Sequence, residues 1–539
     1  MIISEFLMLK LVQKLFQIMH LSYMTLKDKI AGCWAGKNIG GILGGPFEAL
    51  RQINNVTFYT QDLSEGLPGN DDLDLQLVWL NAVEKYGKNV DAHILAEYWL
   101  SYIVPDWVEY GTAKTNLKAG LMAPICGHVA NKYENSCGAF IRSELWACLF
   151  AGHPEMAVRY AYEDAIVDHS DEGLYAEIFM AALQSAAFAV SDKNKLIQIG
   201  LSYIPNECAV AKAIKLVLEC HKNNVDPMEV RTRIMKEFPG NFGIQHTKLK
   251  ELDKSIPYGE PGFDAPCNVG FVILGWMYGD DDFGKSLCMA VNCGEDTDCT
   301  AASLGAILGI IHGYSGLPEK WLAPLGDQIN TKCINRTTQG VNVPETVPQL
   351  TDRIISAIPQ MLEFKYFNIL SDGLTIETKN EAEMSCCRED EFLPLICGGT
   401  KSKFLRIDRL LKLSPNTVKY ELPTVTALLT YENEPFISKN VPYSLKLTLI
   451  DNGLTAHQQW ADVKLYLPDG VTCLGESVMS APVQNTYLAK TEFEFVLNAE
   501  ELNTSKIECL IDISIRDRHS GGIIKATFFA GKYRFDYQK

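Results

Sequence analysis

From about residue 26 to residue 360, apolar positions recur mostly at three- and four-residue spacing, in long segments. LDLQLVWLNAVEKYG (73–87), SELWACLFAG (143–152), GLYAEIFMAALQSAAFAV (173–190) and AASLGAILGIIHG (301–313) all follow the helical period. After about residue 365 the period shortens toward two. VKYELPTVTALLTYE, YSLKLTLIDNG, DVKLYLPDG, TEFEFVLNAE, IECLIDISIRD and GIIKATFFAGKYRFDY alternate or run β-branched, with Asn-Gly and Asp-Gly turns among them. The pattern predicts an all-α domain over 26–360, behind a leading segment 1–25, and an all-β, sandwich-like domain over 361–539. The join, 366–410, reads either as strands of the second domain or as a connecting layer.

A chain of 539 residues exceeds one ordinary core, and domains of about 100–200 residues give two to four of them. With 47% apolar and 21% charged residues, the composition is that of a globular protein. A formal charge of −17 argues against a general affinity for nucleic acid or an anionic membrane, but not against one small nucleotide meeting a local field. The sixteen cysteines are scattered without a C-x-x-C pair, several in apolar segments, and read as reduced thiols of a cytoplasmic protein. The start, MIISEFLMLKLVQKLFQIMHLSY, is broken by Glu5, Lys10, Lys14 and His20, a poor signal peptide and too interrupted to span a bilayer. It reads as an extra helix or an over-extended start, since Met24 opens a more coherent segment. Oligomeric state leaves no mark in the sequence.

Charge changes the picture at two places. NCGEDTDCTAASLGAILG (292–309) puts three acids into four positions, Asp296 and Asp298 among them, and then abandons charge. GNDDLDLQLVWL places Asn70, Asp71 and Asp72 at the head of another apolar helix, with Asp74 further in. Helix capping and dipole pairing account for one acid in each turn, but not for a pair in two turns of the same kind. If the helices pack side by side, the carboxylates meet, and their repulsion calls for a hard divalent cation.

Small residues mark which helices pack closely. Ala302, Gly305, Ala306, Gly309 and Gly313 form one stripe; Gly32, Gly36 and Gly40 form another in DKIAGCWAGKNIGGILGGPFEA. Glycine within a helix costs around 1 kcal/mol against alanine, so such stripes predict compensating close packing. Gly44, Gly45 and Pro46 end the first helix and deliver Glu48 into a loop. No GxxxxGK[ST] phosphate loop occurs.

AGKNIGGILGGPFE (35–48), NDDLDLQ (70–76), HSDEG (169–173) and GEDTDCTAASLGAILG (294–309), in that order, resemble the ADP-ribosylglycohydrolase family of the dinitrogenase-reductase-activating type, over roughly residues 26–335. The chain looks like the long bacterial members that add a C-terminal β domain. The resemblance implies an all-helical catalytic domain and two magnesium ions, for which manganese can substitute. It also implies hydrolysis of the bond joining ADP-ribose to a protein side chain or small acceptor. Asp71 and Asp72 with Asn70, and Asp296 with Asp298, fall at the metal-ligand positions. By the same resemblance, Glu48 falls where some members place a glutamate near the metals and the ribose, and His169 and Gly173 fall in the segment that helps shape the ribose side of their pocket.

Two neighbours depart from the family pattern. Asn70 and Cys299 stand where members commonly have Thr or Ser. Asn70 retains an amide oxygen for a hard cation. A thiol is a poor magnesium ligand, so either Cys299 only packs or one ion is held by fewer protein groups and more water. Two ions would orient ribose hydroxyls and activate water, with Glu48, Asp71 or Asp72 taking its proton. A metal-free carboxylate pair is the competing mechanism. Trp107, Tyr110, Asn116, Arg142 and Glu144 are candidates to line the pocket, against the plainer reading of core aromatics and solvated charges. The expected substrate is a single ADP-ribosyl group on a side chain or small acceptor. The alternatives are a different N- or O-glycoside on the same centre, and a module that binds ADP-ribose without turning it over.

Overall fold

The computed structural model describes residues 19–64, 66–238, 262–336, 341–371, 373–386, 414, 416–451, 458–484, 490–518 and 520–531. The expectation for 1–18, and that for 387–413 within the join, lie outside the described residues. The chain forms two compact units. The first takes the described residues up to Gly111, Lys132–Ala165, and those from His169 to Cys386; the second takes Thr112–Asn131, Ile166–Asp168 and those from Ser414 onward. No helix among the described residues is long and apolar enough to cross a membrane.

The first unit is mostly helical, as the periodicity predicts. Its centre is an antiparallel pair, Tyr23–Gly44 and Thr297–His312. Ser22 caps the former by accepting the Thr25 N–H on its hydroxyl. The two glycine stripes face each other: a Cβ added at Gly32, Gly36 or Gly40 would lie 2.0–2.3 Å from the carbonyl oxygen of Gly309, Gly305 or Ala301. Only bare backbones fit at this separation, so the stripes fix both the pairing and its register. The end of the first helix therefore meets the start of the second, where Thr297 Oγ1 donates to the Gly44 carbonyl at 2.9 Å.

Around this pair stand Asp71–Tyr86, Asp171–Ala187 and Ala265–Tyr278, each buried over most of its circumference. Such helices are core elements rather than amphipathic covers. Polar groups inside are paired across helices. Lys37 Nζ lies 3.1 Å from Glu144 Oε2, both side chains fully buried. Gln76 and Gln184 each donate to Glu144 at 2.9 Å. Arg142 binds Asp164 at 2.7 Å and the Gly138 carbonyl at 2.9 Å. Arg142 and Glu144, candidates for the pocket lining, are instead scaffold.

A three-stranded antiparallel sheet belongs to the same unit. Gly373–Thr378 is central, between Met19–Leu21 and Phe367–Leu370. The period-two texture beginning near residue 365 therefore does not mark the edge of the unit, because the partner strand comes from residues 19–21. These three residues are a strand, where the sequence suggested helix or an over-extended start.

The second unit carries two five-stranded sheets. In strand order, one is Thr417–Glu421, Val425–Tyr431, Tyr443–Asp451, Thr491–Ala499 and Val471–Cys473. The other is Val478–Val483, Gln459–Tyr466, Lys506–Ile515, Gly521–Ala530 and Phe436–Ile437, antiparallel except for its last pair. Alternate residues face inward, such as Ile507, Cys509, Ile511 and Ile513 on one strand and Phe493, Phe495 and Leu497 on another. Tyr431 and Tyr443 pack edge-on against Phe528, and Tyr431 Oη accepts the Thr527 N–H at 2.8 Å. The expected sandwich-like arrangement is present.

Candidate metal centre

Both acidic turns head helices, but capping does not occupy them. Asp296 is the N-cap residue of Thr297–His312, and its carboxylate makes no capping hydrogen bond. At the other turn Asn70 is the cap, its Oδ1 accepting the Asp72 N–H at 3.1 Å. That leaves Asp71 and Asp72 for other work.

The late turn sorts its three acids. Gly294 and Glu295 take φ of +76° and +65°, which sends Glu295 away from its neighbours. Its carboxylate pairs with Arg51 at 2.7 and 3.0 Å, and its backbone N–H donates to the Leu50 carbonyl at 3.0 Å. Asn268 Oδ1 accepts the Asp296 N–H at 3.2 Å. So anchored, Asp296 and Asp298 face the end of the opening helix and Glu48 beyond it.

The carboxylates converge. Glu48, Asp296 and Asp298 offer oxygens all within 4.8 Å of one another. The same holds for Asp72, Asp298 and the Cys299 sulfur, and for Cys137, Asp296 and Cys299. Cys137 Sγ donates to Asp296, and Cys299 Sγ donates to Asp72 Oδ1 at 3.4 Å. Asp72 Oδ2, Asp296 Oδ1 and Asp298 Oδ1 are buried without a hydrogen-bond partner among the described residues. Buried anionic oxygens left this way cost several kcal/mol each unless a cation or proton meets them. Burial, then the neighbouring acids, pushes Asp296 and Asp298 far above the usual carboxylate range. Burial raises Asp72 to about 7 even with the Lys37 charge nearby. Unpartnered oxygens of this kind fit a divalent cation.

A cavity of about 410 Å³ opens onto the cluster, lined by Trp107, Glu109, Tyr110, Tyr133, Gly138 and Phe263 as well as by the acids and both thiols. A second, of about 860 Å³, shares Glu48, Asp71, Asp298 and Lys332 with it and runs past Gly41, Asn70 and Asn330. Lys332 stands where they join. Its ammonium is 3.1 Å from Asp71 Oδ1 and 5.1 Å from the centre of the Trp107 ring. Burial works against that charge, but Asp71, then Glu48 and Asp298, raise its pKa above the usual lysine value. Asp74 holds the segment by accepting the backbone N–H groups of Lys332, at 2.7 Å, and Cys333.

Of the residues singled out in the sequence, Glu48, Asp71, Asp72, Trp107, Tyr110, Asp296, Asp298 and Cys299 line the cavity. Asn70 lies on the adjoining one. His169 and Gly173 do not line the cavity. His169 is buried with Nε2 2.7 Å from Ser136 Oγ, and a Cβ on Gly138 would lie 3.4 Å from its ring. Gly173 has no room for a side chain, a Cβ there falling 2.5 Å from the Glu134 carbonyl. Asn116 spends its amide on the carbonyls of Cys126 and Val129, at 2.9 and 2.7 Å, and also lies off the cavity. Sequence reasoning missed Lys332, Glu109, Tyr133 and Cys137. None carries a local signal; each reaches the site through tertiary packing.

Fold and site together define a helical protein with a buried, carboxylate-rich cluster suited to holding a metal ion, joined to a β-sandwich-like domain. The ADP-ribosylglycohydrolase family model matches residues 22–358, and the chain belongs to that family. An ADP-ribosylarginine hydrolase, Tri1, of Serratia proteamaculans is 38% identical over 77 residues, 13% of this chain and 21% of that relative. An uncharacterized protein of Archaeoglobus fulgidus is 23% identical over 326 residues, 56% of this chain and 93% of the relative. Among solved structures, a FixG-related protein from Vibrio parahaemolyticus matches 20% of this chain and 98% of its own, with 10% identity and a TM-score of 0.17.

Proposed function

We propose that the protein is a magnesium-dependent hydrolase that cleaves the glycosidic bond between an ADP-ribosyl group and a side chain or small acceptor. The observation that carries this is the set of carboxylate oxygens on Asp72, Asp296 and Asp298, residues that line the cavity, that are buried without a hydrogen-bond partner among the described residues. Asp71, Asp72, Asp296 and Asp298 would hold two ions, and Asn70 would position Asp72 through its cap. Such ions supply a site for vicinal hydroxyls and a water of lowered pKa. Manganese would serve in place of magnesium.

The chain's own groups perform the remaining steps. Glu48, partly exposed and pushed up by burial and by Asp71, would take the proton of an attacking water. Asp71 and Asp72 are the other acids within reach of that role. Trp107 offers its face to a ring on the open side of the cavity, and Lys332 offers a cation to an anionic substituent. His169 and Gly173 act from behind the wall, keeping Gly138 in place. The helical domain, 26–360, would carry the chemistry in the cytoplasm; the β domain, 361–539, would serve as an accessory, with Asn116 bracing a loop.

The Serratia relative is named for ADP-ribosylarginine, which makes a side-chain N-glycoside the first substrate to test. A peptide carrying ADP-ribosylarginine should release ADP-ribose with magnesium, stop with EDTA, and resume when magnesium is restored. Release from simple sugar glycosides, with no gain from the adenosine half, would favour the other reading, a different N- or O-glycosidase. Tight ADP-ribose binding without turnover across acceptors would make it a binding module.

A further inference from the structure

Of the described cysteines, Cys137 and Cys299 are the two that line the cavity. Their sulfurs and an Asp296 oxygen all lie within 4.8 Å of one another, and Cys299 also closes the set with Asp72 and Asp298. The three residues come from two separate parts of the chain. Cys137 follows the turn that pairs with Asp264 through Ser136, while Asp296 and Cys299 begin the late helix. A packing role would explain one small buried thiol. It leaves unexplained why two line the same cavity as carboxylates with buried oxygens that lack a hydrogen-bond partner among the described residues, Asp296 Oδ1 among them.

We propose that Cys137, Cys299 and Asp296 form a sulfur-containing position that takes a zinc-class divalent ion, while Asp71, Asp72, Asp296 and Asp298 keep an all-oxygen position for magnesium or manganese. This rests on the reading of the cluster as a metal centre and says what kind of ions it holds. The physical reason is softness. Thiolates select zinc, cobalt and similar ions over magnesium, whereas an all-carboxylate set favours the hard ions. On binding, each sulfur exchanges its S–H bond for a bond to the metal, and the proton leaves to solvent. Asp296 belongs to both sets and would join the two positions.

The test uses the full-length, reduced protein stripped of metal by chelation. Titration with Co²⁺ should produce a near-ultraviolet thiolate-to-cobalt charge-transfer band that saturates at about one equivalent. X-ray absorption of the zinc-loaded protein should show sulfur at about 2.3 Å, a result that needs no variant to fold. Cys137→Ser and Cys299→Ser should each lose the band and bind zinc at least about tenfold more weakly. Both should still bind Mn²⁺, read by electron paramagnetic resonance. Cobalt binding without the band, or a zinc shell of oxygen and nitrogen alone, would overturn the sulfur position and leave the oxygen centre standing. Failure of the unaltered protein to bind any of the three ions would overturn both.

Discussion

Gly36 and Gly305 meet backbone to backbone: a Cβ on either would lie 2.0 or 2.1 Å from the carbonyl oxygen of the other. This contact sets the distance between Glu48, beyond the end of one helix, and Asp296 and Asp298 at the start of the other. A methyl group there has no flexible neighbour to displace, so the helices must separate. Gly36→Ala should therefore destabilise the protein by about 1–3 kcal/mol, although alanine is the better helix former by up to about 1 kcal/mol. Urea denaturation checks the stability. Calorimetric titration with Mn²⁺ should also show weaker binding, because the carboxylates no longer converge.

The Lys37–Glu144 pair gives a second prediction. Both side chains are fully buried, and the carboxylate also receives two glutamine amides. Removing only the cation leaves a satisfied hydrogen-bond network around an uncompensated charge. Lys37→Met should cost about 3–5 kcal/mol, and adding Glu144→Gln to it should recover a large part of that loss. Equal loss in the single and double variants, measured by chemical denaturation, would show that the pair is not coupled in this way.

Both acidic turns and both glycine stripes were legible in the sequence, because each is a local pattern with a physical cost that calls for compensation. How the acids divide was not. Glu295 looks equivalent to Asp296 and Asp298 along the chain, and only the positive φ at residues 294 and 295 turns it toward Arg51. Lys37 did leave a trace, as a lone cation within a small and apolar helical segment. Lys332 and Cys137 left none: NTKCINR and NSCGAF read as ordinary loops, and their place beside the cluster depends on Asp74 and on the turn at Asp264. The strand at Phe367–Leu370 showed its type but not its unit, since its sheet is completed by residues 19–21.

His153 predicts a pH dependence away from the carboxylate cluster. It is fully buried, its Nε2–H donates to the Glu377 carbonyl at 2.8 Å, and its ring leans on Tyr366. Burial pushes its pKa from 6.5 down to about 4. A lowered folded-state value means that the unfolded chain binds the proton more readily. The contribution is thus complete above pH 6.5 and is lost as pH falls toward 4. The loss runs at up to about 1.4 kcal/mol per pH unit. His153→Gln, which keeps a donor for the carbonyl, should flatten the stability profile over that window. A profile unchanged by the substitution would assign the acid sensitivity elsewhere.

The central claim is that Asp72, Asp296 and Asp298 hold divalent cations. Crystals of the full chain soaked in Mn²⁺ and measured near the manganese absorption edge test it most directly, because the anomalous signal locates the ion without reference to activity. The account predicts anomalous peaks between these three carboxylates at oxygen-coordination distance, and their loss in Asp298→Asn. Anomalous maps without a peak there at saturating manganese, with the carboxylates still in place, would contradict it.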